Sequence, residues 1–168
     1  MTAAGGASIT IDQEAIKAVG AALKSETDGK QLRRDLLKEI RVEARPVVAG
    51  LKSAALSMPS SGLNQGVPLR SAIAAGIVPQ TRLGGRDPGV AIRAKTTPGV
   101  RKFKLAARRT NAASWRHRVY GGSAWVEQTG DPGWFDRTTP QHHEHLRDGV
   151  MRAVHDMARR VASRSNTP

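Results

Sequence analysis

Residues 69–95 read LRSAIAAGIVPQTRLGGRDPGVAIRAK, and the hydrophobic period changes inside this stretch. Leu69, Ile73 and Ile77 recur four apart, which predicts a short helix over Leu69 to Ala75. From Ile77 to Leu83 and from Val90 to Lys95 the residues are instead β-compatible. The connection between them, Gly84-Gly85-Arg86-Asp87-Pro88-Gly89, is rich in turn formers, so a hairpin is predicted. A helix leading straight into a hairpin makes the chain neither all-helical nor all-strand.

Upstream, apolar residues fall three or four apart at Leu32, Leu36, Ile40, Ala44, Val47, Leu51 and Ala55, the strongest helical pattern in the protein. Pro46 lies within it and lacks a backbone donor, so a kink or interruption is predicted near Arg45. Met58-Pro59-Ser60-Ser61-Gly62 ends the run. Nearer the start, Ile9 and Ile11 alternate with Ser8 and Thr10 as in a short strand, and Asp12 then offers a helix N-cap. Ile16, Val19 and Leu23 give the face of a first helix to about Ser25. Residues 1–7 are small and read as a flexible leader.

Downstream, residues 96–114 (TTPGVRKFKLAARRTNAAS) have no sustained period and are expected to form a long exposed basic loop. Trp115 to Tyr120 and Ser123 to Gln128 flank Gly121-Gly122 and predict a second hairpin. Thr139-Pro140 supplies a candidate N-cap and first helical position. Leu146, Val150, Val154, Met157 and Val161 follow as the buried stripe of a C-terminal helix. The expectation is a single α+β domain over residues 8–163. In it a small antiparallel sheet packs against a long kinked helix and the C-terminal helix, and residues 164–168 form a flexible tail.

The 168 residues carry a formal charge of +13 and no cysteine, which excludes disulfides and thiolate chemistry. Between Arg70 and Arg118 twelve Lys and Arg residues face the single acid Asp87, a net +11 in less than a third of the chain. Such a charge points to acidic partners, which could be nucleic acid, an anionic membrane or acidic protein surfaces. By contrast, residues 30–52 mix both signs as a solvated helix face does. No apolar run is long enough to span a membrane, and a soluble protein made in the cytoplasm is expected.

The candidate chemistry is sparse. His142-His143-Glu144-His145 offers zinc-type ligands, but four residues after His143 stands Arg147, so the spacing of a zinc-protease helix is absent. Glu127, Asp131 and Asp136 lie near three Trp residues, yet three acids in a turn-rich segment are also ordinary surface. There is no phosphate-binding GxxxxGK[ST] loop, GxGxxG turn or GxSxG elbow. The sequence therefore predicts no catalytic residue, metal or cofactor. Zinc-finger spacing and RNA-binding strand signatures are missing too, which leaves nonspecific phosphate contact as the nucleic-acid alternative.

The aromatic residues are more informative. Trp115, Tyr120, Trp125, Trp134 and Phe135 fall within 21 residues, and the only other aromatic is Phe103. Trp125, in a strand pattern, is expected in the core. Trp134 and Phe135 follow the turn Asp131-Pro132-Gly133 and are expected to reach a neighbouring molecule. With Arg101, Lys102, Phe103, Lys104, Arg108 and Arg109 of the basic loop they make up the expected docking set.

Trp115-Arg116-His117-Arg118-Val119-Tyr120-Gly121, Trp125-Val126-Glu127-Gln128 and Pro132-Gly133-Trp134-Phe135 precede the C-terminal helix in that order. This succession resembles the signature of neck or minor tail proteins, the head-to-tail connector and tail-completion components of long-tailed phages of actinobacteria. Leu32 to Ile40 and Ala44 to Val48 are similar as well, so the likeness covers most of residues 30–163. Arg118 stands where the family usually has Pro, and Tyr120 where it has Phe.

The resemblance implies a structural virion protein at the head–tail junction, with Trp115, His117, Tyr120, Gly121, Trp125 and Gln128 as its structural motif. It implies a ring of copies, sixfold favoured over twelvefold, contacting connector, stopper or tail-terminator proteins. DNA would pass through the channel without sequence-specific readout.

Overall fold

The computed structural model describes residues 6–9, 12–59, 69–97, 106–118 and 123–165. In chain order the elements are β1 (Gly6–Ile9), α1 (Gln13–Ser25), α2 (Gly29–Glu43), α3 (Arg45–Ser57), α4 (Leu69–Gly76), β2 (Ile77–Arg82) and β3 (Gly89–Ala94). Then follow α5 (Ala106–Thr110), β4 (Ser114–Arg118), β5 (Trp125–Thr129), α6 (Trp134–Thr138) and α7 (Pro140–Ser165). The class is α+β. One sheet has the strand order β1-β3-β2 and the other pairs β4 with β5. The six residues between β2 and β3 are too few for a parallel crossover, so these neighbours run antiparallel.

Contacts gather the chain into two compact units. One comprises residues 8–47, 79–91 and 141–168, the other residues 1–7, 48–78 and 92–140.

The first of these units is mostly helical. The Asp12 carboxylate accepts a hydrogen bond from the Ala15 amide at 3.0 Å, the N-cap that starts α1. Ile16, Val19 and Leu23 are buried where α1 packs against α2, whose own buried face is Leu32, Leu36 and Ile40. The buried stripe of α7 is Leu146, Val150, Val154, Met157 and Val161, all five positions that the sequence marks.

Charged pairs join α2 to α7 at its margins. Arg160 bonds Glu39 at 2.8 Å, Arg164 bonds Asp28, and Glu43 lies 3.6 Å from Arg152 and 3.8 Å from His145. Asp28, hydrogen-bonded to it, holds the Arg164 guanidinium above its ordinary range. Glu43 reaches this position because Gly149 has no side chain, as a Cβ there would fall 2.1 Å from its Oε2.

The interruption predicted near Arg45 falls at Ala44, between α2 and α3. Pro46 thereby occupies the first turn of α3, where its missing N–H breaks no intrahelical bond.

In the other unit, Leu51, Ala55, Ile73, Ile77, Trp134 and Phe135 supply much of the buried core. Arg70 donates from Nη1 to the carbonyls of Leu56 and Met58, at 3.1 and 2.7 Å, and so satisfies acceptors at the end of α3. α5 packs against both α4 and β4.

Several boundaries differ from the sequence reading. Within 96–114 a buried helical turn forms over Ala106–Thr110, because Ala106 and Thr110 face inward and the Thr110 hydroxyl donates to the Ala106 carbonyl. β1 takes in Gly6 and Ala7, which the sequence assigns to the leader, and α7 continues through Arg164 and Ser165, assigned to the tail. Thr139 is the C-cap of α6, and its hydroxyl donates back to the Phe135 carbonyl at 2.9 Å rather than capping α7, which begins at Pro140.

Candidate functional site

The residues that carry the motif order lie in the second unit described, and most of them are on the β4–β5 ribbon. The antiparallel register sets Ser114 against Thr129, Trp115 against Gln128, Arg116 against Glu127, His117 against Val126 and Arg118 against Trp125. Directly opposed residues share a face, so Ser114, Arg116, Arg118, Trp125, Glu127 and Thr129 make one face of the ribbon. Trp115, Val126 and Gln128 make the other.

Two contacts tie the first face together. The Ser114 hydroxyl donates to Glu127 Oε1 at 2.8 Å, and the Arg118 guanidinium lies 5.4 Å from the Trp125 ring centroid, within cation–π range. Arg118 thus lies over the aromatic ring directly opposite it in the register.

The ribbon is open to solvent. Trp125 is 54% exposed and Val126 36%, while Arg116 and Arg118 are also exposed. Trp115 and its opposite number Gln128 are half-buried. Among the described residues each strand of this pair has a single strand neighbour.

This reverses the sequence assignment of the aromatics. Trp134 and Phe135, expected at a docking surface, are each 1% exposed and form an edge-to-face pair with centroids 5.4 Å apart at 74°. They are core residues. The turn before them does not aim them outward, because Asn111 Oδ1 accepts from the Phe135 amide at 3.3 Å and Thr110 O from the Asp131 amide at 2.9 Å. Trp125, expected in the core, is the exposed ring. Strand alternation places it on a face, and a two-stranded ribbon has no third layer to cover that face.

Asn111 is the residue that the sequence reading overlooks. It sits just after α5, where it bridges to α6 through Phe135 and through Asp136 at 3.5 Å. Gly130 closes the base of the ribbon. Its amide donates to Ala113 O at 2.9 Å, and a Cβ there would fall 1.9 Å from Ala112 O.

Of the expected basic docking residues, Arg108 is exposed on α5 and Arg109 is half-buried. Arg101, Lys102, Phe103 and Lys104 lie outside the described residues, as do Tyr120 and Gly121 of the structural motif. The candidate carboxylates do not converge. Glu127 accepts from Ser114, Asp131 pairs with Arg137, and Asp136 faces Asn111. His142 and His143 are half-buried, and His145 is exposed beside Glu43. Among the described residues no three His, Asp or Glu side chains are placed to hold a metal, and no helix is long and apolar enough to cross a membrane.

No protein-family model, curated protein or solved structure matches the chain.

Proposed function

We propose that the protein is a structural component of a phage neck, forming a ring that joins the head connector to the tail around a passage for DNA. The observation that carries this reading is the β4–β5 ribbon, which bears the resembling motif and leaves Trp125 and Val126 exposed. A lone two-stranded hairpin is marginal in water. The remaining parts of the motif, Trp134 and Phe135, are buried core residues of the same unit. The role needs no catalytic group, and its partners are copies of itself, adjoining connector or tail proteins, and DNA without sequence specificity.

The test is immunoelectron microscopy of particles that carry a tagged copy. Label at the head–tail junction is expected, and label only elsewhere on the particle, or none on particles, contradicts the proposal.

A second reading, a nonspecific nucleic-acid-binding protein, is favoured by one observation. Arg108, Arg116 and Arg118 are exposed within residues 106–118, where no acid occurs. Under that reading purified monomer binds duplex DNA with a steep salt dependence, and neutralising Arg101, Lys102 and Lys104 flattens the slope. Under the neck reading the same changes impair particle joining and leave stability largely intact.

A further inference from the structure

We infer that the outer face of α2 is a contact surface for the phosphate backbone of duplex DNA. The inference rests on the neck reading for its partner, since it names the surface that would meet DNA passing through the ring. It follows from how charge is sorted around this helix.

The charges of α2, which the sequence reads as mixed in sign, fall into separate lines. At 3.6 residues per turn Lys30, Arg34, Lys38 and Arg41 lie within about a quarter turn of one another, and all four are exposed. Asp35, Glu39 and Glu43 recur every four residues along a different line. Leu32, Leu36 and Ile40, also four apart, are the buried face.

The acids are engaged elsewhere. Asp35 accepts from Gln31 Nε2 at 3.0 Å, Glu39 accepts from Arg160 at 2.8 Å, and Glu43 lies beside Arg152 and His145 of α7. The four cations are left over. Among the described residues none of them takes part in an ion pair. Like charges four apart on a helix repel, so within the folded subunit this line only weakens α2. A polyanion laid along it removes the repulsion.

The surroundings select the polyanion. At a rise of about 1.5 Å per residue the line runs about 17 Å, the length of about five base pairs of duplex at about 3.4 Å each. The unit that contains α2, residues 8–47, 79–91 and 141–168, has no Phe, Trp or Tyr. Single-stranded nucleic acid, held by bases stacked on aromatic rings, therefore finds no platform here. A protein interface centres on aromatic anchors and is poor in Lys, whereas this line lacks such anchors and is half Lys. An anionic membrane takes a helix with an apolar face free to insert, and Leu32, Leu36 and Ile40 are already buried in the fold. Duplex phosphates need only cations along a line, and such contacts carry no sequence information.

The test is fluorescence anisotropy of the full chain with a labelled mixed-sequence DNA duplex, titrated at several salt concentrations. Arg34→Gln, Lys38→Gln and Arg41→Gln made together are expected to lower the affinity at least tenfold and to reduce the slope of log affinity against log salt by about 2–3. Each substitution alone should reduce it by about 0.9. Because Gln is a good helix former and the changes relieve repulsion, the melting temperature should stay at or above that of the parent. The charge-matched set Arg101→Gln, Lys102→Gln and Lys104→Gln should leave most of the slope.

An equal fall in both sets shows net charge alone at work and overturns the inference, as does a fall confined to the 101–104 set, which supports the second reading. The inference also fails if the parent leaves the duplex unbound at low salt or prefers the single strand of the same sequence. It fails too if the α2 set alters binding to phosphatidylserine vesicles but not to the duplex. Absence of the α2 effect in a protein still labelled at the head–tail junction rejects this surface and leaves the neck reading standing. Label only elsewhere rejects the neck reading, while the duplex titrations still decide whether α2 binds DNA.

Discussion

The aromatic pair at Trp134 and Phe135 and the ribbon around Trp125 lie within a dozen residues of each other and are built on opposite terms. The pair is closed: both rings are buried, packed edge to face and held by Asn111. The ribbon is open, with its tryptophan more than half exposed under an arginine. Rings of the same kind thus serve two ends, and what separates them is whether a further layer of the fold covers them. The closed region should answer mutation with stability, and the open region with association.

The largest break in that contrast is Phe135→Ala. Truncating a fully buried ring is expected to cost about 3–5 kcal/mol, whereas Trp125→Ala should change stability by less than about 1 kcal/mol. Chemical denaturation of both variants checks this, and a comparable loss in the two would erase the distinction. In an assembly assay the order should invert, with Trp125→Ala the more damaging of the two among molecules that remain folded.

Gly130→Ala is next. The new methyl would meet the Ala112 carbonyl, a backbone atom that cannot swing aside, so about 1–3 kcal/mol of overpacking is expected. Gly149→Ala should be milder, because the atom in its way belongs to the flexible Glu43 side chain. Equal melting temperatures for the two variants would contradict this account of the glycines.

Asn111→Ala removes the acceptor from the part-buried Phe135 amide and should cost about 1–2 kcal/mol. It tests whether the link from α5 to α6 supports the closed pair. Smallest is Arg160→Ala, which breaks the exposed pair with Glu39 and should shift stability by no more than about 1 kcal/mol, less at high salt. Urea titrations at two ionic strengths measure it.

The helices were legible wherever burial repeats with the backbone period. Leu32, Leu36 and Ile40 or Leu146, Val150 and Val154 need only a 3.6-residue turn to declare a face, and Asp12 and Pro46 mark their ends by local bonding alone. The hairpins were legible too, since alternation and turn residues are local signals.

What the ribbon does with its faces was not legible, because alternation says that Arg116 and Trp125 share a side without saying whether anything covers it. Trp134 and Phe135 were misplaced for a related reason. The Phe135 amide is bonded to Asn111 more than 20 residues away, a distant contact with no periodic trace in the chain. The short helix Ala106–Thr110 escaped because five residues are too few to show a period, and its inward face rests on small side chains.

A map of the assembled neck at side-chain resolution tests the central claim most directly. The account predicts density for this chain at the head–tail junction, with Trp125 of each copy covered by a neighbouring molecule. A ring whose copies meet elsewhere, with the ribbon still facing solvent, would contradict it.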